Sequence, residues 1–378
     1  MKTIAKCMLT AIVAASVAAC GASSAVEDDA QTGSTAEKLT GPNGQGFFGS
    51  DTVYEAITSA VAASPANGSL TYYGSGSGNG EKCLRGTAVT YSGATYCNGS
   101  KDQSIAPMSR NLVGCQAGEV SHRVALDGIG LWSASSQNIS DLSLADVRGA
   151  FCGSDGSGSA SACSTTTWST LSNGASSTNP SNAISAYRRD DASGTTDTFK
   201  TILGNNGLTC TAFCSSVKVV VDRTGGPFLS TDGTTSSLQA PNGPCVSTDS
   251  ATDCIGRLAA ANSDVLAYAG LGATAKAAPK ALSVAGKTPT LTNIRNLVSN
   301  PANAYAFARF LYLNENTATT RALAETKFFK WAFGQTPYGT ASSMLAFEGK
   351  FTGAGFIACT DPAASGHVAL DCGASACP

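Results

Sequence analysis

The sequence predicts an α/β protein of two lobes with mainly parallel strands. Short β-like runs alternate with amphipathic helical stretches from about residue 45 onward, the pattern that strand–helix–strand units produce. A chain of 378 residues, 42% of them hydrophobic, can bury a sizeable core, divided here over two lobes. Charged residues make up 13% of the chain, about half the usual share. Gly and Ser abound instead, without the high charge and low hydrophobicity of disorder.

The elements follow in order. Residues 52–61 (TVYEAITSAV) have helical spacing and start after the polar Gly49, Ser50 and Asp51, as a capped helix would. Residues 70–73 (LTYY) read as a strand buried on one face, running into the loop GSGSGNG at 74–80. Residues 104–106, 124–132 and the β-branched 217–221 read as further strands. Residues 144–151 predict a helix capped by Ser143, with Asp146 in its first turn. Residues 303–312 and 322–333 read as helical or partly so. The Ser/Gly-rich stretch 153–181 lacks periodicity and contains Cys163, which suggests a disulfide-pinned surface insertion. Trp132, Trp168 and Trp331 are expected in the packing of the lobes. His122 and His367 are expected at surface or turn positions, outside any constellation of ligands or bases.

The first residues, MKTIAK, are basic, and an apolar stretch follows that ends on Val17-Ala18-Ala19-Cys20. That stretch is too short for a permanent membrane span and reads as a cleaved export signal at 1–20. The small-small-Cys ending resembles the lipobox of bacterial lipoproteins, which would make Cys20 the lipidated first residue. Residues 21–45 are small, polar and aperiodic, a flexible tether. Without Lys2 and Lys6 the chain keeps 22 basic against 26 acidic residues, a net charge of −4. Overall charge therefore cannot attract an anion, and any anion site must be local. No basic run exceeds Arg188-Arg189, which argues against nucleic acid.

Besides Cys7 and Cys20 the chain has twelve cysteines, an even number on an exported chain and hence up to six disulfides. The simplest pairings are the local ones, 83–97, 152–163, 210–214 and 245–254. Zinc is disfavoured because no CxxC pair occurs and the histidines number two. Enzymatic readings lack their parts as well. No GxSxG elbow is present, and no His/Asp cluster would hold catalytic metals.

Four segments share one chemistry, small hydroxyl residues beside a glycine or a helix start: 49–52, 74–80, 107–110 and 189–195. Glycine lets the backbone approach a ligand, and a helix start offers unpaired N–H groups with partial positive charge. Hydroxyls add donors, and the planar arginine fork matches two oxygens of a tetrahedral oxyanion. In RRDDASGTTD (188–197), Arg189 with Ser193, Gly194 and Thr195 makes sense as an anion cradle, with Asp191 holding the arginine or accepting a ligand proton. On spacing alone a surface ion-pair cluster fits Arg189, Asp190 and Asp191 as well.

The motifs "YYGSGSGNGEKCL", "SIAPMSRNL", "LDGIGLW", "ISDLSLADVRGAFCG" and above all "RRDDASGTTDTF" occur in order between about residues 47 and 335. Together the chain resembles the phosphate-binding solute receptors of bacterial ABC importers, in the periplasmic-binding-protein superfamily. The resemblance implies a two-lobed fold with two interlobe crossovers, near Trp132 and Leu271, and a hinged ligand cleft. Lobe one would comprise 46–133 and 274–378, and lobe two 134–273. It implies a monomeric, non-enzymatic receptor without cofactor or metal. Its partners would be inorganic phosphate, a membrane permease and, through Cys20, the membrane itself. Carried over by position, Asp51 and Thr52 fall in the first ligand loop, Ser77 in the second and Ser109 in the third. Arg189, Ser193, Gly194 and Thr195 fall in the fourth, with Asp191 pairing Arg189. One departure stands out. Many members carry an aspartate where this chain has Ser109, and that carboxylate accepts the phosphate proton and so rejects sulfate. Asp51 or Asp191 must take that part here, or the preference for phosphate over sulfate or molybdate weakens. A sensing or surface scaffold of the same fold is the remaining alternative.

Overall fold

The computed structural model describes residues 40–41, 44–153, 162–190, 193–208, 210–221, 225–231 and 233–376. The signal segment with Cys20, nearly all of the tether, and Asp191 lie outside the described residues. The strands are β1 (Thr40–Gly41), β2 (Gly44–Gly49), β3 (Leu70–Gly74), β4 (Val89–Tyr91), β5 (Ala94–Tyr96), β6 (Ile105–Met108), β7 (Glu119–Ser133) and β8 (Asp141–Leu142). They continue as β9 (Ser185–Arg189), β10 (Lys218–Val221), β11 (Phe228–Leu229), β12 (Val265–Gly270), β13 (Lys280–Val284), β14 (Ala308–Asn316) and β15 (Ala374–Ala376). The helices are α1 (Tyr54–Ala63), α2 (Ser77–Leu84), α3 (Leu144–Phe151) and α4 (Gly194–Asn205), followed by α5 (Ala251–Ala261), α6 (Leu291–Ser299), α7 (Leu323–Ala332) and α8 (Ala341–Gly353).

The expected elements at 52–61, 70–73, 124–132, 144–151 and 322–333 are in place to within a few residues. Ser143 caps α3 and forms a reciprocal capping box with Asp146. Residues 303–312 are a correction: a single 3-10 turn ends at Asn303, and the rest belongs to β14. That strand is wedged between β6 and β7, with eight of its nine residues buried. A strand covered on both faces shows no alternation, so its continuous apolar run mimics a buried helix.

Strand direction also departs from expectation. In the ten-stranded sheet, β9, β10, β12, β13, β8 and β14 run one way, but the central β7 runs against them. Alternating strands and helices fix the direction of strands joined by crossovers. They are silent on a strand such as β7, whose neighbours all come from later in the chain. One half of β7 pairs with β14 and the other with β12 and β13, so this strand runs through the whole sheet.

Two cores flank it. One gathers Phe47, Ile57, Tyr72, Ile105, Leu311, Phe328 and Phe347, and another Trp132, Val220, Ile255, Leu258 and Val265. A third contains the aromatic stack Phe307–Phe199–Tyr268, with Phe199 and Tyr268 nearly parallel at 4.1 Å. Trp168 sinks fully into that core, so the described part of 153–181 is more than a surface insertion. Both histidines pair with glutamates in half-buried sites: Nε2 of His122 lies 2.8 Å from Glu315 and Nε2 of His367 3.2 Å from Glu348.

Cys83–Cys97 and Cys245–Cys254 are bridged as expected, whereas Cys152 pairs with Cys210 and Cys163 with Cys214. The reason is backbone pairing. The end of α3 lies along 212–214, with Gly153 N–H donating to Ala212 O and Cys214 N–H to Phe151 O, both at 2.9 Å. The two segments thus face each other, and each cysteine meets one from across rather than its sequence neighbour. Cys359 pairs with Cys372, and Cys115 is also disulfide-bonded. No helix among the described residues is long and apolar enough to cross a membrane.

Candidate functional site: a cleft at converging helix starts

Three segments that the sequence singled out meet as helix starts. Ser50 caps the 3-10 turn Asp51–Val53, its Oγ accepting from Thr52 N–H. Ser77 opens α2 after Gly76, whose φ of 100° is a conformation that suits glycine alone. Ser193 caps α4, its Oγ accepting from Thr195 N–H at 3.3 Å. Ser109, just past β6, joins the first two. Ser50 Oγ donates to Ser109 Oγ at 3.0 Å, Ser77 Oγ lies 3.2 Å from it, and Ser109 N–H donates to Ser77 Oγ. All four serines are fully buried.

The start of α4 is sealed onto this cluster. A Cβ on Gly194 would lie 1.8 Å from Ser109 Oγ and 2.9 Å from Ser77 Oγ. Gly194→Ala is therefore expected to overpack the contact and cost about 1–3 kcal/mol of stability. Adding Ser109→Ala removes the closest clash and should recover part of that loss, read as the urea midpoint of each variant. A silent Gly194→Ala would mean that the start of the helix does not press on Ser109.

The charged part of the site lines a cavity of about 960 Å³. Arg188 and Arg189 alternate on β9: Arg188 stacks over the Phe213 ring, and Arg189 faces the cavity. Arg189 is 5% exposed and donates from Nη2 to Asp51 Oδ2 and from Nη1 to Thr252 Oγ1, each at 2.8 Å. Asp51, Thr52 and Thr195 line the same cavity. Thr52 Oγ1 is buried with no hydrogen-bond partner among the described residues, an unused donor beside the arginine. Of the predicted set, Asp51, Thr52, Arg189 and Thr195 thus share the cavity. Ser77, Ser109 and Gly194 form the sealed contact beside it, Ser193 caps the helix that starts there, and Asp191 lies outside the described residues.

Four residues escaped the sequence reading: Arg309, Asp127, Thr252 and Tyr72. Arg309 on β14 donates from Nε and Nη2 to Asp127 Oδ2 at 2.9 and 2.6 Å. It also donates to Gly194 O at 3.1 Å and Thr195 Oγ1 at 3.0 Å, tying the start of α4 to the central strands. The two sit opposite each other in the β7–β14 register. The available signal was one charge of each sign inside two apolar runs, VALDGIGLW and YAFARFLYL. Thr252, in the first turn of α5, gave no signal. Tyr72 donates from its hydroxyl to Ser50 O at 2.6 Å. Burial, then the Asp51 and Tyr54 charges, push its phenol well above the usual range, so it stays a donor.

A family profile described as the PBP superfamily domain matches residues 48–336. The chain belongs to the PBP superfamily, and the fold is the α/β periplasmic-binding-protein fold. Among solved structures it is similar to an ABC-type phosphate transport receptor from Vibrio cholerae and to a phosphate ABC transporter substrate-binding protein with bound phosphate from Clostridium perfringens. Each match has 16% identity and a TM-score of 0.53, and covers 82% of this chain and 98% of the other. At that identity the likeness carries the fold. No curated protein matches the chain. Among the described residues, no group of three or more His, Cys, Asp or Glu side chains could hold a metal ion.

Proposed function

We propose that this protein is a lipid-anchored extracytoplasmic receptor that captures inorganic phosphate in an interlobe cleft and delivers it to the permease of an ABC importer. One observation carries the reading. Arg189, the lone arginine of the strongest ligand motif to face the cavity, reaches Asp51 of the first ligand loop 138 residues away, beside the uncommitted Thr52 hydroxyl. The lobes are 46–133 with 274–378, and 134–273, and closing them exchanges water around the anion for fixed donors. Cys20 carries the lipid, and the receptor acts as a monomer without catalysis.

Asp51 takes the acceptor part that Ser109 cannot. Ser109 is committed to Ser50 and Ser77, whereas Asp51 Oδ2 already faces the guanidinium at the cavity wall. Phosphate offers this carboxylate a proton and sulfate offers none, so sulfate would set two lone pairs against each other. Calorimetric titration of protein freed of bound anion tests both statements. A single phosphate site that ignores sulfate is expected, and Asp51→Asn should let sulfate in. If the unaltered protein binds sulfate or molybdate as well as phosphate, the selectivity falls. If no oxyanion binds, the receptor reading falls with it.

A further inference from the structure

We infer that the same cleft also takes phosphate monoesters of sugars or polyols, the ester phosphate occupying the anion seat proposed above and the organic part lying on a tyrosine wall. This rests on the anion-receptor reading. A cavity of about 960 Å³ is the size that buries a drug-sized ligand, and a bare tetrahedral anion fills a small part of it.

The wall beyond Arg189 and Thr52 is aromatic, formed by Tyr54, Tyr72, Tyr73, Tyr91 and Phe356. Tyr54 lies roughly parallel to Tyr72 at 6.0 Å yet remains 51% exposed, a large ring left half open in the cleft. Opposite chemistry is at hand, because Glu55 and Thr71 line the cavity too. Ring faces suit the C–H faces of a sugar, and carboxylate and hydroxyl groups suit its hydroxyls. A purely apolar ester would leave those polar groups unpaired, and free phosphate leaves the wall unused.

Two glycines in the lining point the same way. Gly270 has an ordinary φ of −58°, and a Cβ there would meet nothing within 4 Å. A Cβ on Gly272 would meet Thr252 Cγ2 alone, at an ordinary 3.8 Å. Neither backbone strain nor packing demands glycine at these positions. What the missing side chains preserve is room against the cavity.

Calorimetry on the purified full chain, with inorganic phosphate, glucose 1-phosphate and adenosine monophosphate as probes, decides it. Glucose 1-phosphate should bind one to one and compete with phosphate. Tyr54→Ala should weaken the sugar phosphate about tenfold while moving phosphate less than about twofold. Gly270→Leu, which fills open space, should act with the same selectivity, and it keeps the test decisive should Tyr54→Ala fail to fold. Phosphate binding without glucose 1-phosphate binding overturns this inference and leaves the phosphate-receptor reading standing. A preference for the nucleotide overturns the sugar assignment. If neither phosphate nor ester binds, the failure lies in the anion-receptor reading itself.

Discussion

Arg189→Ala is expected to lower phosphate affinity by two or more orders of magnitude. The guanidinium is the one buried cation of residues 188–197 that faces the cavity. A hydrogen bond to a charged group is worth about 1.5–3 kcal/mol, and each 1.4 kcal/mol is about tenfold in affinity. Two such bonds to one oxyanion reach the predicted loss. The substitution also strips Asp51 of the partner 2.8 Å away, leaving a carboxylate to repel the anion. Adding Asp51→Asn to Arg189→Ala should therefore regain part of the affinity, although neither change creates a contact. Arg189→Lys keeps the charge but loses the fork that engages Asp51 and Thr252 together, so it should fall between the two. Calorimetry of the four proteins orders them. If Arg189→Ala binds phosphate as the unaltered protein does, the anion seat lies elsewhere.

Much of this site was legible because its chemistry is local. A hydroxyl next to a glycine at a helix start announces itself within five residues, and Ser50, Ser77 and Ser193 each lie where a cap or first turn requires them. The sequence could not say which hydroxyls face the cleft. Ser109 and Gly194 come from loops 85 residues apart, and their contact buries donors that looked available. Directional information was missing for the same reason. The helix read at 303–312 and the paired cysteines within 152–163 and 210–214 were local solutions to segments whose partners are distant. Asp127 and Arg309 show the opposite case. Each charge breaks an apolar run, which marks it as paired, but only the register of β7 against β14 identifies the partner.

Arg309→Ala and Asp127→Ala are each expected to cost about 3–5 kcal/mol of stability, because either leaves an uncompensated buried charge. Both side chains are 3% exposed or less, so water cannot rescue the survivor. Stability and binding should then part company in the double variant Arg309→Met with Asp127→Leu. Removing both charges and refilling the volume is often neutral for folding, so the unfolding midpoint in urea should return towards that of the unaltered protein. Phosphate affinity should not return with it. The bonds from Arg309 to Gly194 O and Thr195 Oγ1 are gone, and the start of α4 loses its tie to the central strands. If the double variant recovers both properties, the pair serves the fold alone. If it recovers folding but binds weakly, Arg309 is a positioning residue that holds the fourth ligand loop against the other three.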